Sequence, residues 1–392
     1  MISKFRIGTL VILLGLFISA TAWAEGDDIK YSPIEMAVPS LIIAPDARGG
    51  GMGDNGVSTL PDIGSQYWNA AKYAFMYSKA GVNLSYTPWL RKLVNDVALV
   101  NMSGYYKIGD NDLQAVGASL RYFSLGEVPQ YENIGDQPIY ANPYEMAFDV
   151  SYSRKLSENY SMAVALRYIR SDMGVDPNEL KHAGNAFAAD ISGYLEKYVM
   201  MGSAEALWSF GFNLSNIGSK ISYDEGTNNM FLPAKLALGT GLLYPIDEYN
   251  RIGVYLDLSK YMVPSVPQKK DGETDEEFTT RKEDYKALSS ISGMFKSFSD
   301  SPNGFKGELE EVMVSVGAEY SYNEQFFVRG GYFYESANVG NRKYFSVGAG
   351  FRMSVFQLDA AYLISTVPQN PLDQTLRFSL SFDMDGIKNL FR

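Results

Sequence analysis

The chain has no cysteine, and its 392 residues include a single histidine, His182. The first absence excludes disulfides, thiol nucleophiles, cysteine zinc sites and the acylated cysteine of a lipoprotein. The second leaves any histidine-dependent triad or imidazole metal site only His182, which falls in an expected extracellular loop with no catalytic motif around it. Carboxylates are plentiful, yet no spacing marks one pair as acid and base, so the reading leans against an enzyme. Long apolar runs are missing as well. The stretch from Ile7 to Ile18 is shorter than the ~20 residues of a spanning helix. Lys4 and Arg6 precede it and Ala22, Trp23 and Ala24 follow, the pattern of a cleavable secretory signal peptide over residues 1–24, with a mature chain beginning near Glu25. Positive charge is scarce. The net charge is -11, or -13 without Lys4 and Arg6, which excludes nucleic acid as a partner.

What the chain has in quantity is alternation. From Val82 to Phe382 about fourteen segments of roughly ten residues interleave apolar with small or polar side chains, as transmembrane β-strands do. Met146, Phe148, Val150 and Tyr152 alternate with Ala147, Asp149, Ser151 and Ser153, and successive strand side chains point to opposite faces. Leu376, Phe378, Leu380 and Phe382 repeat the arrangement against Arg377, Ser379 and Ser381. Aromatic residues make up 14% of the chain, with 28 tyrosines, enough for girdles at both membrane interfaces. A soluble β-sandwich is the alternative, but roughly 300 residues of meander exceed one such domain. The expected fold is therefore all-β: a transmembrane antiparallel barrel of about 14 strands over residues 82–392, preceded by a periplasmic or plug-like segment at 25–81.

Connection lengths support this. Short turns are expected at Gly109–Asp112, Ser157–Asn159, Met200–Ala204, Pro245–Tyr249, Asn323–Glu324 and Met353–Ser354, on the periplasmic side with the N-terminus. Longer extracellular connections are expected at Ser124–Pro143, Ser171–Asn185, Gly218–Leu232, Tyr261–Glu310, Glu335–Arg342 and Ser365–Gln374. The same phasing turns Arg121, Asp149, Arg167, Asp190, Glu196 and Asp257 inward, with Glu319, Arg329, Arg352, Asp359 and Arg377. Both signs on many strands predict mutually compensating ion pairs in a narrow lumen, with a polar conduit as the alternative.

Gly51, Gly53 and Gly56 spell G-x-G-x-x-G. A dinucleotide-binding turn needs a strand before it and a helix after it, and neither pattern is present, so the glycines predict a compact coil in or below the barrel and no cofactor. In the longest connection, Thr274 and Glu277 form a capping-box pattern, and Phe278, Tyr285, Leu288, Ile291, Phe295 and Phe298 recur at helical spacing. One helix with an apolar stripe is expected, serving as a lid on the barrel mouth or as a partner-binding face. Asp271, Glu273 and Asp275 lack the glycine-centred loop of a calcium site.

The segment from Ala44 to Val57, with Asp46, Arg48, Gly51, Gly53 and Gly56, resembles the N-terminal signature of the PorV family, outer-membrane components of the type IX secretion system. The resemblance continues through Asp62, Ser65, Trp68, Asn69, Ala71 and Phe75 and the stretch Leu84–Leu90; Ala70 departs from the usual Asn-Pro-Ala. It implies a fatty-acid transporter-like (FadL-like) barrel around an N-terminal plug. It also implies a shuttle that takes cargo bearing a C-terminal signal domain from a Sov/SprA-like translocon barrel to the sortase PorU and its attachment complex, where cargo is joined to lipopolysaccharide. Alternatives are transport of hydrophobic small molecules, or lipopolysaccharide O-deacylation, which would need a serine activated by His182.

Overall fold

In a computed structural model of the chain, fourteen antiparallel strands close into one barrel in which every strand pairs with its sequence neighbours. The structure describes residues 34–384 except 90, 92, 93, 95, 110, 132–136, 175–182, 225–227, 271 and 368–371, and it leaves out the side chain of Gln130. The leader, Asp271 and His182 lie outside the described residues. The first seven strands are β1 Ala80–Pro88, β2 Val97–Ile108, β3 Gln114–Leu125, β4 Tyr144–Lys155, β5 Tyr160–Asp172, β6 Gly184–Met201 and β7 Ala204–Gly218. The rest are β8 Lys235–Pro245, β9 Asn250–Tyr261, β10 Met313–Tyr322, β11 Phe326–Tyr334, β12 Lys343–Arg352, β13 Phe356–Ser365 and β14 Leu376–Asp383. Closure is made by β1 on β14, from Gly81 opposite Asp383 to Tyr86 opposite Phe378. Closing the sheet removes its unpaired edges, which a lipid environment demands.

The alternation read from sequence sets the register. Along β4, Phe148, Val150 and Tyr152 are exposed on the outer wall while Ala147, Asp149, Ser151 and Ser153 are buried. Tyrosines at the strand ends bond polar neighbours on the outer wall, as Tyr152 does to Gln114 and Tyr168 to Asn185. The one irregularity in the ladder is a bulge between Ala189 and Ile191 where β6 meets β7. The extra residue is on β7, where Ser215 and Asn216 together oppose Asp190 of β6, and the buried Asp190 accepts from the Asn216 amide at 2.7 Å.

Residues 36–75 run through the lumen and pack against its wall. The expected periplasmic N-terminus lies outside the described residues, and the first described residues sit away from the short turns. Ala37 and Ile43 sit among the ends of strands that lead into the long connections: the Ala37 amide donates to the Phe231 carbonyl at 2.9 Å, and Ile43 packs with Val97, Leu99 and Phe123. Tyr73 and Phe75 sit at the other end, against Tyr105 and Tyr194. With the short turns periplasmic, the described chain starts at the extracellular mouth and runs down through the barrel to β1. Three separate apolar clusters radiate from Met36 to Ile43 at that mouth, so different walls hold this short segment.

Candidate functional site

Two regions hold the candidate residues: the plug within the lumen and the connection between β9 and β10. In the plug, Asp46 caps the short helix Ala47–Gly50 by accepting from the Gly49 amide at 2.8 Å, and its second oxygen takes the Trp68 indole N–H. Arg48 donates to both Glu319 oxygens, at 3.1 and 3.0 Å, and to Asp62. Glu319 also accepts from Arg329, which reaches on to Asp359, so one chain of charges runs from the plug across β10, β11 and β13. A second set joins Arg167 to Asp149 and Asp190.

The ion pairs expected among inward charges are thus present, but several partners are plug atoms. Arg377 pairs with Asp54, and Arg121 donates to the Ser40 and Ile43 carbonyls. Asp257 accepts from the Gly56 and Val57 amides at 2.8 and 2.9 Å. Glu196 and Arg352 make no ion pair among the described residues and face a cavity at the periplasmic end. Asn69 bonds the Val57 and Gly193 carbonyls and caps the Ala70–Phe75 turn through the Ala71 amide.

The glycines work by what they lack. Gly51 lies on Gly348, and a side chain at Gly331 would overlap the Met52 backbone, so plug and wall meet main chain to main chain. Gly53 has a φ of 72°, a left-handed conformation that glycine adopts without steric cost. The G-x-G-x-x-G run is a packing device, and its amides are spent on Ser346 and Asp257 inside the lumen.

The connection after β9 departs from the single helix expected of it. A first helix spans Asp275–Ala287, with the Thr274–Glu277 capping box formed. It stops at Leu288, and Ser289 caps a second helix, Ser290–Lys296, by accepting from the Ser292 amide. A serine capable of N-capping interrupts the apolar periodicity that suggested continuity. The break divides the stripe. Phe278, Tyr285 and Leu288 are half-buried, and the Tyr285 ring lies edge-on to Phe231, 5.7 Å away, above the barrel mouth. Ile291, Phe295 and Phe298 are exposed, Phe295 at 76%. A third helix, Gly304–Glu310, adds Phe305 at 79% and Leu309, which the sequence reading missed although their spacing of four was visible.

The base of this connection is polar and buried. Lys260 bonds Glu308 and Glu311 at 2.7 and 2.5 Å, and the Ser265 amide donates to Asp300 at 3.0 Å. Burial pushes the Asp300 carboxyl up to about 7, with Glu311 and Glu308 adding to the shift and the Ser265 amide and Lys260 opposing it. Among the described residues no group of histidine, aspartate or glutamate side chains has the geometry of a metal site.

Comparison with known proteins adds the family. The family model described as "Type IX secretion system protein PorV" matches residues 27–269. No curated protein matches the chain by sequence. Among solved structures, a Pseudomonas aeruginosa FadL homologue is similar at 13% identity and a TM-score of 0.46, covering 87% of this chain and 99% of that one. The Pseudomonas putida toluene transporter TodX is similar at 11% identity and a TM-score of 0.47, covering 85% and 96%. The Ralstonia pickettii toluene transporter TbuX gives 11% and 0.43, covering 87% and 96%. The family match spans more than half of the sequence, and the chain belongs to the PorV family of type IX secretion system proteins.

Proposed function

We propose that this outer-membrane barrel, exported by a signal peptide cleaved before Glu25, is a shuttle of the type IX system. It binds cargo carrying the C-terminal signal domain at the translocon barrel and hands it to the sortase and attachment complex at the cell surface. The observation that carries the reading is the contrast between a filled lumen and an exposed apolar loop. Phe295 and Ile291 stand out from an extracellular connection that is itself anchored to the barrel mouth through Tyr285 and Gly293. Apolar side chains offered by a rigidly mounted loop suit partner recognition. The plug leaves the barrel's interior occupied by buried ion pairs and backbone contacts, which favours a scaffold over a conduit for hydrophobic molecules.

In this reading Phe278, Tyr285 and Leu288 mount the loop, and Ile291, Phe295 and Phe298, joined by Phe305 and Leu309, make the contact. Asp46, Arg48, Gly51, Gly53, Gly56 and Asn69 hold the plug. No residue is assigned to catalysis, and lipopolysaccharide enters as the substrate of the attachment complex. The test is affinity purification of the tagged protein from gently solubilised outer membranes, beside a strain lacking residues 274–298. Recovery of translocon, sortase and cargo with the intact protein, and their loss with the deletion, is expected. Equal recovery from both would remove the loop from recognition, and recovery of lipids alone would favour transport.

A further inference from the structure

The hairpin of β6 and β7 stands taller than its neighbours at the periplasmic end. β6 runs to Met201, whereas its pairing with β5 stops at Leu195 opposite Tyr160. Residues 196–201 therefore extend past β5 by about 20 Å of strand. On their other side they stay in register with β7, from Glu196 opposite Ser209 to Met201 opposite Ala204. At the other short turns no strand outruns the neighbouring hairpin by more than two residues.

One edge of the tall hairpin is thereby open. The Glu196 amide donates to the Asn159 carbonyl at 2.9 Å, so residue 196 turns its main chain toward β5, and residues two and four further on turn theirs the same way. These are Tyr198 and Met200, and among the described residues no backbone group meets them there. Their side chains share the face of Glu196 and are 59% and 69% exposed. Residues 197–201 contain no proline and a single charge, Lys197, so the usual guards of a free edge are sparse. At its foot Glu158 and Glu196 make no ion pair among the described residues. Lys155, which attracts Glu196 from a distance, sits over the Phe75 ring at 4.1 Å.

We propose that this edge binds an extended segment of a periplasmic protein as an added strand, antiparallel to residues 196–201. The segment sets apolar side chains against Tyr198 and Met200 and a basic one against Glu196. Amides and carbonyls left open at every second residue are complementary to another strand, and the flanking side chains select among strands. The edge lies at the opposite end of the barrel from the loop of the proposed shuttle function and stands independently of it.

The test uses the full-length protein in lipid nanodiscs and a fluorescein-labelled peptide, Thr-Leu-Val-Phe-Glu-Lys, read by fluorescence anisotropy against empty nanodiscs. Laid antiparallel, its leucine, phenylalanine and lysine oppose Met200, Tyr198 and Glu196. N-methylation at leucine and phenylalanine keeps every side chain but removes the amides that face the edge, and should weaken binding about tenfold, the scale of two hydrogen bonds. N-methylation at valine and glutamate, on the peptide's far side, should leave affinity unchanged. Met200→Pro removes an edge amide without breaking a bond between β6 and β7, and should also weaken binding about tenfold; Met200→Ala, which keeps the amide, should cost less. If Met200→Pro fails to fold, as judged by heat-modifiable gel mobility, the two methylated peptides on the unaltered protein decide alone. Equal affinity of those two peptides, no binding of the parent peptide, or unchanged affinity in folded Met200→Pro would each overturn the proposal.

Discussion

The plug and the extracellular loop solve opposite problems with similar numbers of residues. In the plug, Arg48, Asp46 and Asn69 are buried and bonded, and the glycines let main chain lie on main chain. In the loop, Phe295 and Phe305 are apolar and left in the open, although buried carboxylates clamp the loop's base. The plug packs the interior with buried charge, whereas the loop, beyond the apolar outer wall, carries exposed apolar side chains of its own.

The largest effect belongs to the plug–wall contact. Gly331→Val should drive a side chain into the Met52 backbone and cost upwards of about 4 kcal/mol, with no room to relax between two main chains. Loss of the heat-modifiable band after refolding into lipid would show it, and a normally stable variant would remove the close packing from the account. Next comes Glu319→Gln, which strips the carboxylate shared by two buried guanidiniums, Arg48 and Arg329. Breaking such a pair costs about 3–5 kcal/mol because the surviving charges stay buried; urea unfolding in vesicles measures it.

In the loop the order of effects reverses. Phe295→Asp should leave stability within about 0.5 kcal/mol, as exposed positions do, while lowering recovery of translocon and cargo roughly tenfold, the size of a modest interface hot spot. Quantitative mass spectrometry of the purified complexes reads the second quantity and the same urea titration the first. The smallest effect concerns pH. Burial raises the folded-state Asp300 carboxyl to about 7, above the unfolded value, so the folded loop binds the proton more tightly. Its contribution is full below the unfolded pKa and is lost as pH rises through about 7. Hydrogen exchange of residues 299–311, corrected for intrinsic rate, should therefore speed up between pH 5 and 8, and Asp300→Asn should flatten that dependence.

Much of the barrel was legible because lipid and lumen impose a strict period of two. The predicted turn at Ser157–Asn159 and the long connections at Tyr261–Glu310 and Glu335–Arg342 fall where β4 meets β5, β9 meets β10 and β11 meets β12. The capping box at Thr274 was legible as well, since it is local chemistry. What escaped the sequence was long-range. Arg48 lies 271 residues from Glu319, and no spacing announces that a plug arginine completes a wall network. The course of the plug was not legible because residues 34–43 carry no topological signal of their own; their apolar side chains fit the extracellular mouth once the barrel exists. The helix break at Leu288 escaped because apolar periodicity continued across it, and Ser289 could be read either as a helix residue or as a cap.

The most direct test places a photo-crosslinking phenylalanine analogue at position 295 in intact cells, beside the same analogue at buried position 333 in the lumen. The account predicts adducts with the translocon barrel or with cargo bearing the C-terminal signal from position 295, and none from position 333. No adduct from 295 under conditions in which secretion proceeds would contradict it.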